Sequence, residues 1–212
     1  TQDFDARHFY PIAGANGAFS IESSQSIPHL NYNVKLMADY ANESLYFYCG
    51  LDCKASLEHV LSLNAAASLG ILDFLELGLV LPIIAYEGYN NTYKNLDIYG
   101  LAKPVRGYVG DMQIRAKGRI LDRKDYHGFG LGAGLILSLP TGKSEAFLGD
   151  GFITGRPYLI FDYEIGPVEM ILNLGFSLRQ KSQFLDYTLR HGFNYGFGLV
   201  YHAIKDTLDL KG

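Results

Sequence analysis

Long runs of strict two-residue alternation recur along this chain and limit its fold more than any other feature. The run from Phe129 to Leu139, FGLGAGLILSL, puts apolar residues on the odd positions and glycine on three of the even ones. NYNVKLMADY from Asn31, VEMILNLGFSLR from Val168 and GFNYGFGLVYHA from Gly192 alternate in the same way. Successive side chains of a β-strand point to opposite faces of the sheet. The pattern therefore predicts strands with one apolar face.

The runs are also long, at about ten to twelve residues, whereas strands of soluble proteins average about five or six. A tilted strand needs about ten residues to cross a bilayer. In GDMQIRAKGRI, which begins at Gly110, one predicted face carries Arg115, Lys117 and Arg119. Each cation would cost roughly 2–4 kcal/mol near the bilayer midplane if that face met lipid. The charged face is therefore predicted to line a lumen.

The predicted connections alternate between short and long. Further strands are expected at 56–69, 71–82 and 154–164, with short candidates near 17–24 and 3–10. Short turns are expected at 70–71 and 165–167, a connection of moderate length at 121–128, long loops at 41–55, 83–107 and 140–153, and a loop of medium length at 181–191. This asymmetry is typical of outer-membrane barrels. We expect an all-β fold, an antiparallel up-and-down transmembrane β-barrel of about 10–12 strands, with a polar, charged lumen and a lipid-facing apolar exterior.

The side chains predicted to face the lumen carry both signs of charge in near balance. Mixed charges in a narrow barrel more often pair into a network that fills the interior than line a selective pore. We therefore expect structural salt bridges, with a polar pathway for small solutes as the alternative. The predicted lumen charges are Lys35, Asp39, Glu76, Asp111, Arg115, Lys117, Arg119, Arg156, Asp162, Glu164, Glu169 and Arg179.

Composition and charge exclude several classes of partner and anchor. The net charge is -4 with no long run of one sign, so the chain lacks the electrostatic footprint of a nucleic-acid-binding protein. No window of about 18 apolar residues predicts a transmembrane helix, and TQDFDARHFY has no signal-peptide pattern. Cys49 and Cys53 are too few for a structural zinc site, and in an oxidising compartment a disulfide is favoured over free thiols.

No catalytic motif is present in the chain. PTGKS after the run at 129–139 resembles the end of a phosphate-binding loop, but Leu137 stands where the first glycine of that loop is needed. The six histidines do not have H-x-x-x-H spacing, and there is no G-x-S-x-G elbow. We expect no enzymatic activity, no catalytic residues, no cofactor and no metal site.

Four stretches carry a resemblance to a known family: HFYPIAGANGAFSIES, GDMQIRAKGRI, LSLPTG and LNLGFSLR. They resemble the barrel region of OmpA-family outer-membrane proteins, in the branch with larger barrels. The resemblance spans most of the chain and implies an integral barrel of the bacterial outer membrane with a structural, envelope-anchoring role. Its implied partners are outer-membrane lipid and, through a further periplasmic domain, peptidoglycan or other envelope proteins. It implies no nucleic acid and brings no catalytic or ligand residues.

The end of the chain departs from that family. DTLDLKG replaces the aromatic-terminated strand that usually closes a final barrel domain, and a strand is predicted to begin near Thr207. We expect residues 1–212 to be a single barrel domain, either incomplete at its C-terminal end or followed by another domain. Two other functions stay open: diffusion of small solutes through a porin-like lumen, and adhesion or partner binding by the 83–107 loop. The main rival fold is a soluble lipocalin-like barrel, whose apolar face points inward.

Overall fold

The structure is a computed structural model of the 212-residue chain. It describes the backbone of residues 4–5, 9–48, 54–91, 107–142, 148–180, 182–184, 187–204 and 208–211. Side chains are described for 9–42, 59–86, 107–142, 149–180 and 190–202. These residues contain no helix, and hence none long and apolar enough to span a membrane.

The described residues form sixteen β-strands, and eight of these have ten or more residues. In chain order they are β1 (Phe4–Asp5), β2 (Gly17–Ala18), β3 (Ile21–Glu22), β4 (Tyr32–Tyr48), β5 (Lys54–Leu72), β6 (Leu75–Asn91), β7 (Tyr108–Val109), β8 (Met112–Leu121), β9 (Phe129–Leu139), β10 (Leu148–Gly149), β11 (Thr154–Ile165), β12 (Val168–Ser177), β13 (Ser182–Phe184), β14 (Tyr187–Leu189), β15 (Gly192–Ile204) and β16 (Leu208–Lys211).

A single ten-stranded antiparallel sheet contains all eight long strands. Its order is β16-β15-β12-β11-β9-β8-β6-β5-β4, and β7 also pairs with β6. Each long strand pairs with the next long strand along the chain, and the sheet curls strongly into a half-barrel. Three small pairs, β1 with β10, β2 with β3 and β13 with β14, lie outside this sheet. The predicted all-β antiparallel fold is confirmed at this level.

The alternating pattern predicts the strands in the second half of the chain well. The run FGLGAGLILSL is β9 with the same bounds; Gly130 and Gly132 are buried, whereas Phe129 and Leu135 are exposed. β8, β11, β12 and β15 also lie where alternation predicts them, and β16 begins one residue after Thr207. The short turn at 165–167 is confirmed, since Ile165 pairs with Val168.

The predicted loops 41–55 and 83–107 are wrong in part. β4 continues to Tyr48, β5 begins at Lys54 and β6 continues to Asn91, so much of both ranges is strand. Register shifts between Asn42 and Leu45, and between Leu57 and His59, interrupt the alternation that sequence reasoning follows. A β-bulge moves the next side chains to the other face without ending the ladder.

The turn predicted at 70–71 is also wrong, because the turn lies at Asp73 and Phe74 instead. Gly70 stays in β5, where its N–H donates to Asn31 O at 2.9 Å and its own carbonyl accepts from Leu30 N. A Cβ at this position would overlap the carbonyl oxygens of Ile27 and Pro28. Gly70 therefore permits a close approach between two backbones, which a sequence pattern cannot distinguish from a turn.

Residues 9–27, called the interior segment below, pack against the inner face of the curled sheet. The short strand predicted near 17–24 is wrong as a strand of the sheet: β2 and β3 form a small hairpin within this segment. Ala18 packs in a buried cluster with Ile136, Ile160 and Val200, and Ala13 packs with Ala66 and Val80. Within the candidate strand at 3–10, Phe4 and Asp5 form β1, which pairs with β10, and residues 9–10 are not strand; the other positions of this range lie outside the described residues.

The outer face of the sheet is apolar and exposed. Leu36 on β4 is 73% exposed and Tyr195 on β15 is 79% exposed. The exposed apolar side chains of the long strands include Tyr32, Val34, Leu36, Tyr40, Leu77, Leu79, Ile114, Ile120, Leu135, Leu137, Leu159, Tyr163, Leu172, Phe176, Phe193, Tyr195, Phe197, Leu199 and Tyr201. The two faces of the sheet thus differ in polarity, and the polar one is covered.

Candidate functional site

Asp162 on β11 binds the second half of the interior segment through three hydrogen bonds. Its Oδ2 accepts hydrogen bonds from Ser23 Oγ at 2.8 Å and from Ser24 N at 2.6 Å, and its Oδ1 accepts one from Ser24 Oγ at 2.9 Å. A Cβ at Gly130 would overlap both Asp162 and Ser24, and one at Gly132 would lie 3.3 Å from Ser24 Cα. The glycines of β9 therefore make the space that the segment occupies.

Glu22 is held from three strands. Its carboxylate accepts from Arg115 Nη1 of β8 at 3.1 Å and from Tyr158 Oη of β11 at 2.6 Å. Asn173 of β12 accepts from Glu22 N and donates to Glu22 O, each at 2.8 Å. The Asn173 side chain thus replaces the backbone of a neighbouring strand as the partner of Glu22 N and O. These two backbone groups of β3 are therefore hydrogen-bonded although β3 lies outside the sheet.

The charge of Glu22 is compensated where it lies. Burial alone would raise the pKa of Glu22, but the positive charges of Lys117 and Arg115 and the hydrogen bonds from Tyr158 and Arg115 outweigh this effect. Its pKa therefore lies below the ordinary value of 4.5. The carboxylate stays ionised in contact with its partners, which is the condition under which a buried charge is tolerated.

Glu76 and Lys117 attach the end of the interior segment. Lys117 Nζ lies 3.4 Å from Glu76 Oε2, which also accepts from Ile27 N at 3.1 Å. The same ammonium donates to Ser23 O at 3.2 Å and Gln25 O at 2.9 Å. The ion pair thus joins β6 to β8, and both of its members also hydrogen-bond the backbone of the interior segment.

The start of the segment is held by β4. Asn33 Nδ2 donates to Ala13 O at 3.0 Å, and Lys35 Nζ donates to Gly14 O. A Cβ at Gly78 on β6 would lie 2.6 Å from Ala13 Cβ. Together with the packing of Ala18 against Val200, these bonds extend the contacts of the interior segment from β4 to β15 across the curl.

Other predicted lumen charges lie toward the ends of the strands. Arg119 pairs with Asp122 at 2.8 Å. Glu164 and Glu169 both pair with Arg123, at 3.3 and 2.8 Å. These ion pairs lie where β8 leads into its turn and where β11 leads into β12.

The remaining predicted charges have partners of several kinds: backbone N–H groups, an amide, a carboxylate and an aromatic ring. Asp111 accepts from Gly142 N at 2.9 Å and from Asp150 N at 2.8 Å, and Asp39 accepts from Asn64 Nδ2 at 2.6 Å. Arg179 lies 3.7 Å from Asp150 Oδ1. Arg156 stacks over the ring of Tyr10, with Cζ 5.8 Å from its centroid.

Within the described residues, Lys117 and Glu76 are the two predicted charges that pair with each other. The rest use partners that sequence reasoning missed, above all Glu22, Arg123 and Asp150. The interior segment was missed because it follows no two-residue period. A usable signal was present in the inward glycines at 78, 130, 132, 196 and 198, which leave room for more than neighbouring side chains.

Two cavities remain between the interior segment and the sheet. The first has a volume of about 290 Å³ and lies between Glu22, Tyr158 and Asn173; the second has about 250 Å³ and reaches Asp150 and Arg179. Both are lined by Tyr10, Ile136, Arg156 and Asn194. Both cavities bring charged and neutral polar side chains together on the inner face.

Cys49, Cys53 and the greater part of the 83–107 loop lie outside the residues whose side chains are described. In the described part of the chain no three His, Cys, Asp or Glu side chains are grouped as a metal site. Neither the protein-family models nor the curated proteins with which the chain was compared match it.

Proposed function

We propose that this chain forms an integral β-barrel of the bacterial outer membrane, filled by its own interior segment and acting as a structural element of the envelope. The observation that carries the proposal is the inverted polarity of the sheet. Asp162, Arg115 and Lys117 are buried on the inner face, while long apolar side chains are exposed on the outer one. In water this arrangement would leave a broad apolar surface unprotected.

A soluble lipocalin-like barrel would need the opposite arrangement. Its apolar side chains point inward around the ligand. Here Glu22, Ser24 and Asp162 are in the interior, and residues such as Leu135 and Leu159 are outside. A lipid bilayer covers such an exterior without further protein. We propose closure into about 10–12 strands, of which the described sheet supplies the greater part.

Insertion is tested by refolding the purified chain with phospholipid vesicles. We expect it to float with the vesicles, to resist extraction at high pH, and to migrate differently on a denaturing gel before and after heating. A chain that stays monodisperse without detergent and shows no heat-dependent shift would overturn the membrane assignment.

The structural role is supported by the way the interior is filled. Asp162, Glu22 and Glu76 each bond the segment to the sheet, so opening a passage requires several buried polar groups to lose partners. Planar-bilayer recording should therefore give no stable openings with the folded protein. Stable openings would instead favour diffusion of small solutes, the second candidate, which the two polar cavities support.

The anchoring part of the role rests on the resemblance to OmpA-family barrels. We propose that it acts through peptidoglycan or another envelope protein, and we expect the full-length protein to sediment with purified peptidoglycan. Failure to sediment would remove the anchoring role and leave the membrane assignment intact.

A further inference from the structure

The two cavities of the inner face meet at the side chain of Arg156. This residue lines both, as do Tyr10 and Asn194 of β15. The volumes of the two cavities are about 290 and 250 Å³, and each is large enough for a small solute. Of the side chains that the structure describes, Arg156 is the one cationic group that lines both of these cavities.

Arg156 differs from Arg115 and Arg179 in having no carboxylate within ion-pair distance among the described residues. Arg115 is bonded to Glu22, and Arg179 lies near Asp150. Within the described residues Arg156 forms no ion pair and no hydrogen bond, and its Nε is buried without an acceptor. Its Cζ lies over the Tyr10 ring, 5.8 Å from the centroid, which is a cation–π contact and supplies no conventional acceptor for the N–H groups.

The walls of the cavities carry an excess of positive charge. Three arginines, Arg115, Arg156 and Arg179, face two carboxylates, Glu22 and Asp150. Both carboxylates already have cationic partners, and Glu22 also accepts the Tyr158 hydroxyl. A partly buried guanidinium without an acceptor is costly, so the site favours an added anion.

The neutral groups around Arg156 suit an oxyanion. Ser138, Thr154 and Ser177 bring hydroxyl groups to the second cavity. Asn194 Nδ2 donates to Ser177 Oγ at 2.7 Å, so the hydrogen of the Ser177 hydroxyl can point toward a ligand. A guanidinium binds a carboxylate or phosphate through two parallel N–H bonds. The hydroxyl groups can then donate to the remaining oxygens.

We propose that the cavity at Arg156 binds a small oxyanion from solution, a carboxylate or a phosphate group, between Tyr10 and Asn194. The inference does not depend on the barrel lying in a membrane, since it concerns the inner face alone. It assigns a ligand site to a barrel that is otherwise filled by its own chain.

The test is calorimetric titration of the refolded full chain in non-ionic detergent micelles. Inorganic phosphate and sodium acetate are the two probes, and sodium chloride of equal ionic strength is the reference. We expect saturable binding of at least one probe, and the stronger of the two identifies the oxyanion class. Absence of saturable binding for both would overturn the proposal and would show that the protein itself neutralises Arg156.

Variants locate the site. Arg156→Gln should weaken binding by about ten- to a hundredfold, the usual effect of losing a charge-assisted hydrogen bond. Arg156→Lys keeps the charge but loses the paired N–H donors of the guanidinium, and should weaken binding by less.

Arg190→Gln, at an exposed arginine that does not line either cavity, is the matched control and should bind like the wild type. Wild-type affinity in a folded Arg156→Lys or Arg156→Gln protein that retains its unfolding transition would place the anion elsewhere and overturn the proposal.

Discussion

Ser24 and Asp162 are joined by two hydrogen bonds, although 138 positions separate them in the chain. Ser24 is fully buried and Asp162 is 2% exposed, so water does not reach either group freely. The pair connects the second half of the interior segment to β11. The docking of the interior segment against the sheet therefore depends strongly on these two hydrogen bonds.

Replacing Asp162 by alanine tests that dependence. The change leaves the buried Ser24 N–H and two serine hydroxyls without their acceptor, and a buried donor without a partner costs about 1–3 kcal/mol. We expect the free energy of unfolding to fall by at least about 2 kcal/mol in a urea titration. Cleavage after Glu22 by a glutamate-specific protease, followed by mass spectrometry, should become faster.

Asp125→Ala is the control for this change, because Asp125 lies exposed in the turn between β8 and β9. It should unfold like the wild type within about 0.5 kcal/mol. Equal stability of the two variants would contradict the role given to Asp162.

Gly130→Ala tests whether the glycines of β9 make room for the interior segment. The added methyl group would overlap Asp162 Oδ1 and Ser24 Oγ, and overpacking of this kind costs about 1–3 kcal/mol. Gly192→Ala is the matched control, since a Cβ at Gly192 meets nothing within 4 Å. Denaturant unfolding of both variants gives the comparison. An alanine at 130 that is tolerated as well as one at 192 would show that the segment does not need this space.

Leu135→Arg tests the environment of the outer face. Leu135 lies in the middle of β9 and points outward. In a bilayer an arginine near the midplane should cost about 2–4 kcal/mol, whereas in water an exposed substitution changes stability by about 0.5 kcal/mol or less. Tyr126→Arg, in the turn before β9, should be tolerated in both cases. Unfolding from vesicles distinguishes the two environments, and equal stability of both variants would argue against a membrane location.

Acid should weaken the attachment of the interior segment through Glu22. Because the pKa of Glu22 in the folded protein lies below the ordinary value of 4.5, the unfolded state binds more protons in the range below that value. Its contribution to stability is therefore complete above about pH 4.5 and is lost as the pH falls through the lowered pKa. Unfolding free energies measured from pH 7 to pH 3 should show this decline.

Glu22→Gln should remove that part of the acid dependence, at the cost of lower stability at pH 7 because Arg115 loses its carboxylate. Glu164→Gln is the control, since the Glu164 side chain is 42% exposed and lies at the end of its strand. An acid decline that is unchanged in Glu22→Gln would assign it to other carboxylates.

Strand positions could be predicted wherever alternation is unbroken. In β8, β9, β11, β12 and β15 one face is apolar and the other is polar or glycine, so period two marks both the strand and its orientation. In β4, β5 and β6 the bulges near Asn42, Leu57 and Leu61 shift the pattern, and the ends of these strands could not be found from it.

The interior segment could not be predicted from local pattern for a different reason. Its stability comes from long-range polar contacts, such as that of Glu22 with Tyr158, rather than from a repeated apolar face. Charges that look as though they should pair across the interior, such as Asp162 and Arg156, instead meet serine hydroxyls and an aromatic ring. Residues so far apart in the chain do not fall within one strand-length window, so a local sequence pattern cannot identify them as partners.

The meander order of the sheet has a consequence for the time course of folding. Each long strand pairs with the one that follows it in the chain, so hairpins can form early from nearby residues. The interior segment comes before all of the long strands, yet its partners extend as far as Val200 on β15. Its docking closes the largest loops and has to wait for most of the sheet. The segment that precedes the long strands in the chain is therefore expected to reach its final place after them.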